Sequence, residues 1–504
     1  MPAGTITLVL SGKHSCHGAA RAPAHSSVLA SNRLLIVCLL CLSTANSSLT
    51  AADSNAGSDD NRPHENLYEK YKTRVVTNAP AVTGATNIHS QHDWEFSWEG
   101  WNGLKLGVSQ STPLKNPREL LGLQPLTSNV PVLNLQQLKF ETRLKALLEV
   151  DGTAYATSGN MDDPNDIQLR RARVKAQGDC ILLLPLSYEI ELGYIPHKFN
   201  LNQAWFSSQN YDYIGYFQAG LFGPPMGLDL ITSTRDLTFM EPASCLQALA
   251  PGNEAGIQVG HPVLNQRGTW ALGIFGGGLV ASEYGNDSGN YGNLMGRLSY
   301  LALDHIALEP SQNRLLHLGL SANVQYSANS QVQYRSRPES YLARYVIDTG
   351  NIEASATGTI GLEAAYVNGP FSAQTEFLDS MVRQNNGAAL NFYGFYANVS
   401  WYLTGESRPY DREQGAFKRL IPRRNFDFGR GGAWGAFEAA ARVSHTDLIS
   451  GDIRGGRLSL VMGELNWYLH SHVRWMFNAG VGHVSGGAYE GDIALFQTRI
   501  GVDF

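Results

Sequence analysis

Phe496-Gln497-Thr498-Arg499-Ile500-Gly501-Val502-Asp503-Phe504 closes the chain and decides how the rest is read. Successive side chains of a strand point to opposite faces, so Phe496, Thr498, Ile500, Val502 and Phe504 share one face and Gln497, Arg499, Gly501 and Asp503 the other. An alternating strand ending on an aromatic residue is the signal that the barrel-assembly machinery of bacterial outer membranes reads. Phe504 is therefore expected to engage that machinery, with the apolar face of its strand toward lipid.

The same rhythm runs upstream. In Asn391–Leu403, Tyr393, Phe395, Ala397, Val399, Trp401 and Leu403 alternate with Gly394, Tyr396, Asn398, Ser400 and Tyr402. Leu316–Tyr326 sets Leu316, Leu318, Leu320, Ala322, Val324 and Tyr326 against His317, Gly319, Ser321, Asn323 and Gln325. Val473, Trp475, Phe477, Ala479 and Val481 alternate with Arg474, Met476, Asn478 and Gly480. From Trp94 onward such segments, about 9–11 residues each, are separated by Gly, Asn, Asp and Pro clusters. A soluble β-sandwich shares this alternation. Two features favour a membrane: aromatics recur near the ends of the apolar faces (Tyr326, Trp401, Trp467, Trp475), as an interfacial girdle requires, and the opposite faces mix small and polar residues, as a wet lumen does. The expected fold is all-β, a transmembrane antiparallel up-and-down barrel over residues 93–504. It should have about 16 strands, short periplasmic turns and longer extracellular loops.

Composition agrees. The chain has 504 residues, 43% hydrophobic and only 16% charged, with a mean hydropathy of -0.19. Helical membrane bundles need repeated apolar runs of roughly 20 residues, and these are missing. The 52 Gly, 22 Tyr, 19 Phe and 9 Trp supply turns and interfacial rings.

One continuous apolar run, Leu34 to Leu42, follows Arg33 and leads through small residues to Ala51-Ala52-Asp53. A basic residue, a short apolar core and a small-residue exit describe a signal peptide over residues 1–52, cleaved near Ala51 or Ala52. Residues 53–92 read as a polar periplasmic tail, partly disordered, with a short helix over Glu65–Arg74. The leader takes Cys16, Cys38 and Cys41 with it, leaving Cys180 and Cys245, enough for one disulfide at most. Losing Lys13, Arg21 and Arg33 leaves 35 basic residues against 44 acidic, a net charge of about -9 that argues against nucleic acid as a partner.

Short stretches in a fixed order resemble the phosphate-selective porin O and P family. They include Leu221–Leu228 (LFGPPMGL), Leu230–Glu241 (LITSTRDLTFME), Gly296–Ser299 (GRLS), Ser336–Glu339 (SRPE) and Glu363–Phe371 (EAAYVNGPF). Tyr402–Tyr410 (YLTGESRPY), Gly435–Arg442 (GAFEAAAR), Asn466–Leu469 (NWYL) and the terminal Gln497–Phe504 complete the set. The resemblance implies a sixteen-stranded barrel, usually trimeric, that passes anions and sometimes phosphate. The chain departs from the family pattern at Gly223 and Pro242, where basic residues are common, and at Phe437, where Trp is usual.

Selectivity in such a channel comes from the charge lining its narrowest point. Arg171, Arg173 and Lys175 are spaced by two and share a face, which lipid would not tolerate, so that face should be lumenal. Arg297, Arg442, Arg474 and Arg499 are isolated lumen-phase cations within their strands. These seven are the candidate solute-binding residues, a basic track for small anions. The competing reading is ordinary charge pairing, since Glu189, Glu191, Glu363, Glu376, Glu438 and Glu464 also lie on polar phases. Arg423, Arg424 and Arg430 sit in a loop-like stretch and are expected to be solvated or to face lipopolysaccharide, while His470 and His472 flank a turn. No Gly-x-Ser-x-Gly elbow, His-Glu-x-x-His or Walker loop occurs. The expectation is a passive channel in the outer membrane rather than an enzyme, with no cofactor and no metal. Two alternatives stay open: a soluble secreted β-rich binding protein, or a barrel enzyme, which would need a Ser–His pair on lipid-facing phases, where none stands out.

Overall fold

The computed structural model describes residues 93–98 and 104–109 and, from 139 to 504, all except 182–184, 196–197, 277–286, 289–291, 306–308, 310–311, 327–330, 386–388 and 430–431. The leader, the tail and the helix expected at 65–74 lie outside the described residues.

Period-two alternation is realised in sixteen long strands. The first eight are β1 (Lys139–Thr157), β2 (Asp166–Ile181), β3 (Pro185–Ile195), β4 (Lys198–Tyr211), β5 (Gly215–Phe222), β6 (Glu254–Val263), β7 (Gly268–Gly276) and β8 (Gly292–His305). The second eight are β9 (Arg314–Tyr326), β10 (Ile352–Asn368), β11 (Phe371–Gln384), β12 (Ala389–Tyr402), β13 (Ala436–Ser450), β14 (Ile453–His470), β15 (Val473–Ser485) and β16 (Gly491–Asp503). Each pairs antiparallel with its sequence neighbour. The C-terminal strand then pairs with β1, Ile493 opposite Thr157 through Asp503 opposite Leu147, which closes the barrel. Phe504 and Ala146 exchange two backbone hydrogen bonds at the end of that seam. A hairpin of Asp93–Trp98 and Leu104–Ser109 extends the sheet from the first residues of β1.

The outward phases are apolar and exposed, as Phe395, Val399 and Trp401 on β12 and Val461 and Leu465 on β14 illustrate. Near the end that holds Lys139 and Phe504, the outer wall carries stacked rings, with Phe437 on Trp467 and Trp467 on Trp475. Connections at that end include the short turns 212–214, 369–370 and 471–472, so it is the periplasmic end. The opposite, extracellular end carries the long segment 223–253.

Two expectations are corrected. Not every periplasmic connection is short: 403–435 joins β12 to β13 at that end. Its residues Tyr410, Ala416 and Phe417 enter the barrel and pack on Leu301, Leu315, Ala365 and Val367. Nor is the lumen side only small and polar. Leu448, Leu458, Leu460, Val484 and Ile493 point inward and build a core with Phe239, Cys245 and Leu246 of the segment 223–253 and with Val346 and Ile347 of the stretch between β9 and β10. Each such side chain withdrawn from water contributes about 1.5–3 kcal/mol, which is why these segments fold inward. The segment 223–253 carries two short helices, α1 (Leu228–Ile231) and α2 (Ser244–Leu249). Cys180 and Cys245 are both free thiols, so no disulfide links them.

Candidate functional site: the lumen

The infolded segment 223–253 is seated by charge as well as by apolar packing. Glu241 stands at the centre of the seat. Arg170 donates to it through Nε at 2.9 Å and Nη2 at 3.1 Å, and Arg499 through Nη2 at 2.5 Å. Arg171 reaches the same carboxylate at 3.5 Å. Burial pushes the Glu241 carboxyl up, but Arg170, Arg171 and Arg499 outweigh it and hold the group well below the usual carboxylate range. At α1, Glu376 accepts the backbone N–H groups of Leu228 and Asp229 at 2.8 and 2.9 Å. At α2, Glu339 accepts the Ser244 N–H at 2.9 Å and pairs with Arg442.

The seven candidate cations all reach the lumen side, but not as an open row. Arg171 donates to Glu149 at 2.7 Å and is buried. Arg173 lies 3.4 Å from Glu191, and Lys175 lies 2.9 Å from Glu189 and 3.4 Å from Glu191. Arg297 grips Glu363 with two nitrogens, Nε at 2.9 Å and Nη2 at 2.7 Å. Its Nη2 also donates to the Gly415 carbonyl at 2.9 Å. Gly415 takes φ 64°, and a Cβ there would come within 2.7 Å of Ser299 Oγ, so glycine alone lets the periplasmic connection approach this closely. Arg442 adds a bond to the Glu241 backbone carbonyl at 3.1 Å. Arg474 donates to the carbonyls of Leu237 at 2.7 Å and Thr238 at 3.0 Å. Arg499 clasps Asp151 at 2.6 and 2.7 Å besides Glu241. Charge pairing therefore accounts for six of the seven, and backbone carbonyls for Arg474.

Period-two reading missed Arg170. A β-bulge pairs Glu149 with Arg171 and Val150 with Leu169, so Arg170 is the extra residue. Strict alternation would send it to lipid, yet both arginines are buried inside. Glu241 and Glu339 lie in stretches that carried the family resemblance, but their role depends on partners 70 to 258 positions away in the chain.

Beneath the infolded segment, toward the periplasm, lies an open cavity. Its walls carry Arg235, Arg408, Lys418, Arg419, Arg474 and Arg499 against Glu149, Asp236 and Asp503, an excess of three positive charges before His470 and His472 are counted. The two histidines stack at 5.6 Å, and His472 Nδ1 is 3.0 Å from Arg419 Nη1. They are thus cavity residues rather than bystanders of a turn. Arg423 and Arg424 are exposed on the same connection, at the periplasmic end, so they cannot face lipopolysaccharide; Arg430 lies outside the described residues. No group of three or more potential metal ligands occurs among the described residues.

A closed barrel with an apolar outer band, a charged lumen and a segment folded inside it is the architecture of an outer-membrane porin. The sequence profile of the family Phosphate-selective porin O and P matches residues 144–500, and the chain belongs to that family. Among relatives, an uncharacterized protein of Caulobacter vibrioides is 27% identical over 327 residues, 62% of each chain. Porin O of Pseudomonas aeruginosa is 23% identical over 374 residues, covering 67% of this chain and 81% of that one. The chain thus spans 62% of the Caulobacter relative's length. Among solved structures it is similar to an anion-selective porin from Comamonas acidovorans (TM-score 0.43, 12% identity, 72% of this chain and 99% of that one). A trimer form of OmpT from Vibrio cholerae gives a TM-score of 0.44 at 8% identity, with the same coverage.

Proposed function

We propose that this chain is an outer-membrane porin that lets small solutes diffuse passively, with a weak preference for anions. The observation that carries the preference is the cavity at the periplasmic end, where six cations face three carboxylates. Low-dielectric walls focus that field and raise the local anion concentration. Arg474 and Arg499 contribute to it directly, and Arg173 and Lys175 add partly exposed charge on β2. The remaining candidates, Arg171, Arg297 and Arg442, act by holding the infolded segments that set the bore.

Tight phosphate capture needs several convergent, unengaged donors. Here the lumenal arginines are largely committed to carboxylates, and Gly223 and Pro242 stand where the family commonly has basic residues, so a strong phosphate site is not expected. Transport of this kind needs no catalytic chemistry in the lumen. The precursor carries a leader over residues 1–52, the assembled form is a homotrimer, and Phe504 is the handle for barrel assembly. Planar-bilayer recording in asymmetric salt tests the reading. A reversal potential of the anion-selective sign supports it, and an ideally unselective or cation-selective current overturns the preference.

A further inference from the structure

On the outer wall the register sets polar residues side by side where the apolar band ends. The uppermost apolar row is Val443, Val461, Val481 and Ala494 on β13 to β16. The next row toward the extracellular end is His445, Ser459, His483 and Asp492, each directly opposite its neighbour. Inward residues at this level are apolar and buried, including Leu458, Leu460, Val484 and Ile493. Core packing therefore fixes the strands while the polar row faces out, at the depth where acyl chains meet headgroups.

The contacts within the row are a histidine–carboxylate pair and a histidine–serine pair. His483 Nδ1 is 2.8 Å from Asp492 Oδ1. That carboxylate fixes the proton on Nδ1 and leaves Nε2 as the accepting nitrogen. Directly opposed residues on antiparallel strands have Cβ atoms about 4.5–5.5 Å apart, within reach of an imidazole and a hydroxyl. On the other flank His445 Nδ1 is 2.8 Å from Ser459 Oγ. Its ring lies 5.9 Å from that of Phe395 and 6.1 Å from that of Tyr393. Arg457, paired with Asp447 at 2.7 Å, lies two residues before Ser459 on the same face, so a cation stands one row further out.

We propose that Ser459, His483 and Asp492 form a lipid-facing acyl-ester hydrolase site on the outer wall of the barrel, distinct from the channel. Ser459 Oγ attacks the carbonyl carbon of a lipid acyl ester, and its proton passes to His483 Nε2. The carbon–oxygen bond to the leaving alcohol breaks, and the imidazolium returns the proton to that alcohol. Water, deprotonated by His483, then attacks the acyl-serine carbonyl; the bond to Ser459 Oγ breaks, the imidazolium returns the proton to that oxygen, and the fatty acid leaves. His445 holds Ser459 Oγ in place through its own N–H, and Arg457 supplies positive charge for the developing oxyanion or an adjoining phosphate. The ester chemistry is common to glycerophospholipid and to the acyl chains of lipopolysaccharide.

The test uses the purified, folded full chain with an alkyl fluorophosphonate probe, followed by fatty-acid release from phosphatidylethanolamine vesicles and, separately, from lipid A micelles. The expected result is covalent label on Ser459 and fatty-acid release in at least one arm, the arm naming the substrate. Ser459→Ala should abolish both while its single-channel conductance stays at the wild-type value, which shows that it has folded. His483→Asn should lower release by about 10²–10⁴-fold. Asp492 acts through His483 as a positioning residue, so Asp492→Asn should lower kcat while KM stays unchanged, with Asp492→Glu restoring part of the rate, a split that packing alone does not give. Absence of label and of release in both arms from a conducting preparation overturns the proposal, as does label that persists in Ser459→Ala.

Discussion

Arg499 and Glu241 lie 258 positions apart in the chain and 2.5 Å apart in the lumen. One belongs to the strand that closes the barrel, the other to the segment folded inside it. This contact ties barrel closure to the seating of the internal segment, because the same guanidinium also clasps Asp151 on β1. Breaking a buried pair by removing one partner costs about 3–5 kcal/mol, since a charge is left uncompensated. Glu241→Gln should therefore loosen 223–253, raise single-channel conductance and strengthen anion preference by uncovering Arg170, Arg171 and Arg499. Bilayer recording checks this, and wild-type conductance in a folded variant would show that Glu241 does not hold the segment.

The cavity and the β2 row make separable contributions to selectivity. Lys418→Gln with Arg419→Gln should shift the reversal potential toward cations. Arg173→Gln with Lys175→Gln should shift it in the same direction but less, because both residues already lie beside Glu189 and Glu191. Micromolar phosphate should leave the chloride current of the wild type intact, and a block at that level would reveal a phosphate site.

Acidification should strengthen anion preference before it disturbs the bore. Burial raises the Asp236 carboxyl in the cavity wall, so it loses its negative charge at higher pH than an ordinary aspartate. Burial and the neighbouring Arg419 lower His472, so it gains its charge only below the usual histidine range. Both changes make the cavity more positive as pH falls. Glu241 is depressed, so the stability it contributes is present above the ordinary carboxylate range and is lost only as pH falls through its lower folded value. Reversal potentials recorded from neutral to mildly acidic pH should move toward anions at constant conductance, and a move toward cations would contradict the assignment of the cavity.

Deleting Phe504 should reduce assembled barrel far more than one side chain of packing explains. Phe504 exchanges backbone hydrogen bonds of 2.8 and 3.0 Å with Ala146 at the closing seam, besides presenting its ring to the outside. Heat-modifiable mobility of the protein recovered from outer membranes measures this. Undiminished folded protein from the deletion would remove the recognition role.

Local physics made the barrel legible without coordinates. Alternation along β9, β12, β15 and β16 is a property of neighbouring residues, and the outward phases that it assigned are the exposed ones. The inward positions of Arg171, Arg297, Arg442 and Arg499 followed from the same period. What those arginines touch did not, because Glu241 and Glu339 arrive on segments far away in the chain whose inward course depends on apolar packing across the whole lumen. A single bulge was enough to hide Arg170, since one extra residue reverses the face that strict alternation assigns. The row of Ser459, His483 and Asp492 was equally invisible: each residue reads as an isolated polar position on its own strand, and only the pairing register of three strands sets them in line. Period belongs to the chain; register and closure belong to the folded barrel, where each strand's position is set by neighbours that the local sequence does not contain.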